Sequence, residues 1–343
     1  MSQLPNNLAQ NNSPLISSGN ELMSRSYYAK HEQSQWPSRS GISKAHEMGI
    51  KGKDVLVGVL DTGVEADHQE FYGRNIKYRY INPFGKSDGY DHEARGFDCD
   101  QRGHGTGVCG VIAGNSIGVA PEVDLYVASV MESQDNYTNF LRVMRGLDWL
   151  RDQFQSEANK NKPAVLNMSL LLPSFSPFTP SPDIPTEEAL KRLIDDLQQK
   201  ILELITQANV LVVASIGNSG PGTFNYPGAF KEVMGIGAID FEGNLYDLSG
   251  SGQPSKEVSK PDLVGYGVNV CTSFKRDYRG IHFYKQTSAT SISSPYVAGI
   301  AALYRCHDPS LTVMEVREKI VKNAFKLENQ PSERVGSGLA RFV

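Results

Sequence analysis

Three short segments, far apart in the chain, supply an acid, a base and an alcohol: Asp61-Thr62-Gly63, His104-Gly105-Thr106, and Thr290-Ser291 with Pro295 just beyond. A serine hydroxyl is a poor nucleophile until a neighbour takes its proton, and an imidazole of ordinary pKa about 6.5 can do so near neutral pH. A buried carboxylate on the far ring nitrogen fixes the tautomer and stabilises the imidazolium that forms. These residue types point to acyl transfer, with Ser291 as nucleophile, His104 as base and Asp61 as the orienting acid. A tetrahedral intermediate also needs hydrogen-bond donors for its oxyanion. Asn218, in Ser215-Ile216-Gly217-Asn218-Ser219-Gly220, is the candidate side-chain donor beside the Ser291 backbone N–H.

The surrounding sequence supplies elements that can carry these groups. Val55 to Leu60 is a short, mostly β-branched apolar run ending at Asp61. Such a run predicts a buried parallel strand delivering the carboxylate at its carboxyl end, where ligands of open α/β sheets collect. Gly103 and Gly105 allow close backbone approach around His104, and Val108 to Ala113 continues as an apolar helix. Val297, Ala298, Ile300, Ala301 and Tyr304 predict a helix after Ser291, with Pro295 in its first turn. Val210 to Ala214 is a further apolar strand leading to Asn218, and Leu125 to Val130 another. Val143, Leu147, Leu150 and Phe154 form a helical stripe. Thr186-Glu187-Glu188 opens a long helix whose inner face runs from Leu190 through Leu193, Ile194, Leu197, Ile201 and Leu204 to Ile205. Thr312 with Glu315 is a capping box. Alternation of strand and helix predicts an α/β fold with a parallel sheet.

The order Asp, His, Ser and the local motifs resemble the subtilase family of serine peptidases. The resemblance runs over residues 34 to 343. It begins at Trp36-Pro37 and Gly41-Ile42, and passes Gly118-Val119-Ala120-Pro121, Val165 to Leu170 and Lys260-Pro261-Asp262 before closing at Gly336 to Leu339. It implies a three-layer α/β sandwich with a mostly parallel central sheet, and hydrolysis of peptide bonds through an acyl-enzyme. It carries roles over to Asp61, His104, Asn218 and Ser291. It also implies that Ser169, Leu170 and Leu171 lie in a segment that pairs with substrate as an added strand. Gly222 to Pro227, with Asn225, would form the base of the main side-chain pocket.

The chain departs from the family pattern in three places. Ala289-Thr290-Ser291 replaces Gly-Thr-Ser, and Ser169-Leu170-Leu171-Leu172 replaces Ser-Leu-Gly-Gly. Two leucines in place of glycines should narrow the substrate cleft and restrict specificity. The short link from Gly114 to Pro121 lacks the longer calcium-holding loop of many secreted relatives. Glu70 then stands where a ligand would be expected, and one carboxylate makes a poor oxygen-rich site. No metal or other cofactor is therefore expected.

With 343 residues and 39% hydrophobic content the chain can bury one large core, so one catalytic domain is expected after a short tail. A net charge of -4 argues against a nucleic-acid partner. No apolar run reaches the length of a membrane span, and the start, Met1 to Asn7, lacks the charged and apolar regions of a signal peptide. A cytoplasmic protein with no membrane partner is expected, acting on protein or peptide substrates. The four cysteines follow no metal-ligand spacing and are expected as thiols.

Residues 1–33, rich in Asn, Ser and Gln, are expected to be a flexible arm. Leu15-Ile16-Ser17 or Tyr27-Tyr28 is a candidate to block the cleft, which would make release of the arm, or an activating partner, a regulatory step. Glu132 and Asp135 hint at a preference for basic residues in substrates. His46-Glu47 and His31-Glu32 lack the second histidine of a metalloprotease helix, and Gly235-Ile236-Gly237 lacks the third glycine of a dinucleotide site. The alternative to an active peptidase is a silent homologue that binds peptides on the same fold.

Overall fold

Residues along a strand point alternately to its two faces, and here both faces are apolar. In the Leu56–Asp61 strand (β2), Val57 and Val59 enter one hydrophobic cluster while Leu56 and Leu60 enter another. Such double burial requires cover on both sides, the signature of a parallel sheet inside an α/β sandwich. The protein has that architecture in a computed structural model, which describes residues 22–23, 34–74, 76–83, 96–133, 138–172, 187–276 and 279–343.

Seven strands form the central sheet. Besides β2 they are Ile76–Tyr80 (β3), Asp124–Ser129 (β4), Ala164–Met168 (β5), Val210–Ser215 (β6), Met234–Ile239 (β7) and Leu263–Tyr266 (β10), while Gly252–Ser255 (β8) and Val258–Lys260 (β9) pair antiparallel outside it. Their order is β10-β7-β6-β5-β2-β4-β3, and every neighbouring pair is parallel. The order reverses around β2, so Asp61 emerges at a topological switch point, the usual place for a site in such sheets. The predicted fold class is thus the observed one.

After the short helix Ile42–Glu47 (α1), the helices divide between the two faces. His104–Ala113 (α2), Thr290–His307 (α5) and Val313–Asn323 (α6) cover the Val57 side. Phe140–Phe154 (α3) and Glu187–Gln207 (α4) cover the Leu56 side. The predicted stripes face inward: Val143, Leu147, Leu150 and Phe154 are buried, as are Leu190, Leu197, Ile201 and Leu204. Leu193, Ile194 and Ile205 are only partly buried and pack at the edge of the same cluster. Gly58 leaves a notch on β2 that Leu150 and Phe154 fill; a Cβ there would lie 3.0 Å from each. The capping box forms, with Thr312 accepting from Glu315 N and Glu315 reaching back to Thr312 N at 2.8 Å.

A hairpin, Val270–Phe274 (β11) with Phe283–Thr287 (β12), runs directly into the Ser291 helix. Within the 1–33 arm only Leu22–Met23 (β1) is among the described residues, and it pairs antiparallel with β12. Leu15 to Ser17, Tyr27-Tyr28, Asp135 and the Pro/Ser-rich 173–185 segment lie outside the described residues. Because Leu150 fills the Gly58 notch and is fully buried, Leu150→Ala is expected to cost about 2–5 kcal/mol of stability, read as a lower urea midpoint.

Candidate active site

The three segments converge. His104 Nδ1 lies 2.7 Å from Asp61 Oδ1, and His104 Nε2 lies 3.1 Å from Ser291 Oγ. An ionised carboxylate only accepts, so Nδ1 donates to Asp61 and Nε2 is left to accept from the serine hydroxyl. Asp61 is fully buried and Oδ1 also accepts from Thr62 N at 2.7 Å. Its second oxygen, Oδ2, is buried without a hydrogen-bond partner.

Local backbone features make the convergence possible. Gly63 has φ 125°, and a Cβ there would sit 2.1 Å from the Phe97 carbonyl oxygen. A Cβ on Gly105 would lie 2.2 Å from the Gly63 carbonyl oxygen. Gly105 therefore lets the His104 helix touch the Asp61 turn backbone to backbone, and Gly63 lets that turn touch the Phe97 backbone.

The helix of Ser291 begins earlier than its sequence suggests. It starts at Thr290, which places Ser291 in the first turn and Pro295 inside the helix. Proline has no N–H, so the carbonyl four residues back, that of Ser291, loses its helical donor. Ser169 replaces it: its hydroxyl donates to Ser291 O at 2.9 Å, lies 2.8 Å from Ser294 Oγ, and accepts from Asn167 Nδ2 at 2.9 Å. Ser169, expected at the substrate strand, thus has its buried side chain turned to the nucleophile's own helix.

Asn218 Oδ1 accepts from Thr290 N at 2.8 Å and from Thr290 Oγ1 at 3.0 Å. Those two donors identify the oxygen and leave the amide Nδ2 available as a donor beside Ser291. Asn225 packs under the same turn, where a Cβ on Gly217, at φ 116°, would meet Asn225 Nδ2 at 2.3 Å. The leucines alternate as in a strand: Leu170 and Leu172 are buried in the α3–α4 cluster, and Leu171 is half-buried. Leu172, one of the two leucines expected to narrow the cleft, is therefore turned into the core.

Burial disfavours the charged form of His104, but the Asp61 carboxylate beside it, with Asp98 and Asp100 behind, outweighs this and raises its pKa. His68, packed among Phe71, His282 and Tyr284, behaves oppositely. Burial lowers the His68 pKa to about 4, so this ring stays neutral.

Sequence reasoning missed Thr62, Asp98 and Asp100. Asp100 Oδ2 accepts from His104 N at 3.1 Å, and its place four residues before a helix start was a legible signal. Of the two acids expected to favour basic substrates, Glu132 is among the described residues, and it is exposed while also paired within the protein. Glu132 pairs with Arg142 at 2.8 Å and accepts from the Tyr80 hydroxyl at 2.7 Å. Burial opposes its charge, yet these two partners hold its pKa below the ordinary carboxylate value.

Glu70 is engaged by protein donors at both oxygens. Oε2 accepts from Ser116 N at 2.8 Å and Ile117 N at 3.3 Å, and Oε1 from the Ser116 and Tyr284 hydroxyls. Among the described residues no group of three or more His, Cys, Asp or Glu side chains is placed to hold a metal ion. His46 instead bonds the Val119 carbonyl, and Gly235 and Gly237 lie inside β7. Among the described residues no helix is long and apolar enough to cross a membrane.

A parallel-sheet α/β fold with an Asp–His–Ser constellation at the switch point defines a class, and comparison with known proteins narrows it. The model of the subtilase family matches residues 52–338, and the chain belongs to that family. The subtilisin-like protease PopC of Myxococcus xanthus is 47% identical over 309 residues, covering 90% of this chain and 63% of PopC. Subtilisin DY of Bacillus licheniformis is 30% identical over 293 residues, 83% of this chain and 88% of that protein. The crystal structure of a cold adapted subtilisin-like serine proteinase aligns with TM-score 0.61 at 27% identity, over 85% of this chain and 88% of the other. The chain spans less than two thirds of PopC, and only 29% of the subtilisin-like protease SBT6.1 of Arabidopsis thaliana.

The His104 pair has a consequence for titration. Because folding raises the His104 pKa, the pair's contribution to stability is complete below about pH 6.5 and is lost as pH rises through the folded pKa. NMR titration should place the His104 midpoint above 6.5, and Asp61→Asn should lower it.

Proposed function

We propose that the protein is a serine endopeptidase. The observation that carries this reading is the continuous line from Asp61 Oδ1 through the His104 ring to Ser291 Oγ, at 2.7 and 3.1 Å. Ser291 Oγ attacks the peptide carbonyl carbon while His104 Nε2 takes its proton. Asp61 stabilises the resulting imidazolium without itself being protonated. The oxyanion is met by Ser291 N–H and by the Asn218 amide, which Thr290 holds in place. The imidazolium then protonates the leaving amine, and water, activated in the same way, releases the acyl group from Ser291.

Substrate lies along the 169–172 segment as an added strand, its side chains meeting Leu171 on one wall and the Gly217–Asn225 turn on the other. Leu171 at a family glycine position supports a narrowed cleft and restricted specificity. The arm is regulatory in this reading, supported by its strand β1 docking on the hairpin that leads to Ser291. A reducing, cytoplasmic setting is supported by four cysteines that are thiols in no disulfide. Burial lifts the Cys99 pKa to about 11, which suits an inert structural thiol.

Labelling by a fluorophosphonate tests the reading: the wild type should be modified and Ser291→Ala should not, and a wild type that neither labels nor cleaves peptides would sink it. Asn218→Ala should lower kcat by about 10²–10³, the size known for the corresponding donor of subtilisin, with little change in KM. Deleting residues 1–33 should raise the cleavage rate of a peptide substrate; an unchanged rate would remove the regulatory role of the arm.

A further inference from the structure

We propose that Asp98 is a second buried carboxylate of the site, a positioning residue that clasps the turn after Asp61 to the first turn of the His104 helix. The proposal rests on the peptidase reading above. Asp98 is fully buried and lies in neither the triad nor the oxyanion site. Its Oδ2 accepts from Thr106 N at 2.7 Å and Thr106 Oγ1 at 2.6 Å, both on the His104 helix. Its Oδ1 accepts from Thr62 Oγ1 at 2.8 Å, in the Asp61 turn, and from Asp100 N at 3.0 Å.

Each threonine hydroxyl has one proton, and giving it to Asp98 leaves its lone pairs to accept. They do so crosswise. Thr62 Oγ1 accepts from Gly105 N at 2.9 Å, from turn to helix, and Thr106 Oγ1 accepts from Glu65 N at 2.9 Å, from helix to turn. The Thr62 hydroxyl also lies 3.3 Å from Asp61 Oδ1, but Asp98 Oδ1 is nearer at 2.8 Å, so Asp98 sets the direction of both hydroxyls, and both tie the acid's segment to the base's segment. Asp100, aligned by its N–H on Asp98, completes the path by accepting from His104 N at 3.1 Å.

Four donors converge on one carboxylate, which suits the ionised acid. A proton on either oxygen would face a donor, and an asparagine amide would do the same. Burial and the Asp61 charge push the Asp98 pKa up, and the hydrogen bonds from Thr106 and Thr62 oppose that push. Asp61, Asp100 and Glu65 are the other acids of the cluster, and Lys275 donates its Nζ to the Asp98 main-chain carbonyl. Tyr78, Cys99 and Cys109 are neutral neighbours whose pKa values burial raises. The negative charge of Asp98 also favours the imidazolium form of His104, adding to that of Asp61.

Asp98→Asn, nearly isosteric, provides the test, with kcat expressed per fluorophosphonate-titrated site and the His104 midpoint followed by NMR. We expect kcat to fall about 10- to 100-fold, as misplacement of a base does, with KM held within about threefold. The His104 midpoint should fall by about half a pH unit or more. A variant that loses thermal stability but keeps the wild-type kcat and His104 midpoint would overturn the proposal, leaving Asp98 a purely structural group. Should Asp98→Asn not fold, Thr62→Val decides: it should lower kcat about tenfold with recovery in Thr62→Ser, and a wild-type kcat in Thr62→Val would overturn the clasp. If the wild type itself neither labels nor cleaves, the peptidase reading fails, while the NMR midpoint still tests Asp98.

Discussion

A carboxylate removed from water must find partners or lose its charge, and Asp61 sits fully buried at the end of the central strand. Its partners are the Thr62 N–H and the His104 ring, the latter brought from a segment 43 residues away. The contact between the two segments is so close that Gly105 could not carry a side chain without striking the Gly63 backbone, while Gly63 is packed as tightly against the Phe97 carbonyl. Once the acid is buried there, the imidazole is held, and with it the start of the helix that it opens.

The nucleophile is set by a second local conflict and its resolution. Pro295 deprives the Ser291 carbonyl of its helical donor, and the Ser169 hydroxyl supplies one from the end of β5. This ties Ser291 to the strand next to β2, so acid and alcohol are fixed to neighbouring strands of one sheet. Thr290 performs the matching service for Asn218. The Ser169 and Thr290 hydroxyls thus fix the groups proposed to react, through hydrogen bonds to backbone and side chain.

The fold was largely legible because its signals are local and repeated. Val57 and Val59 alternate with Leu56 and Leu60, the helical stripes keep their period, and the Thr312–Glu315 box closes as its spacing requires. Legibility failed where a residue's role depends on a partner distant in sequence. Leu172 resembled a cleft residue but turns into the α3–α4 cluster, because strand alternation gave it the same face as Leu170. Glu132 is the surface acid its sequence suggests, but its pairing with Arg142 and Tyr80 was not legible. Pro295 suggested a helix start, yet a donor from another strand lets the helix run through it.

The sequence by itself determined the sheet-and-helix alternation and the family, and it singled out Asp61, His104 and Ser291 as the groups proposed to react, since residue type and flanking glycines are local properties. Only the tertiary structure decided which oxygens, nitrogens and hydroxyls meet. The roles of Asp98, Thr62 and Ser169 come from hydrogen bonds whose partners lie up to 125 residues away. The physical reason is that a hydroxyl or carboxylate takes its meaning from the donor or acceptor facing it, and that neighbour is chosen by the folding of the whole chain.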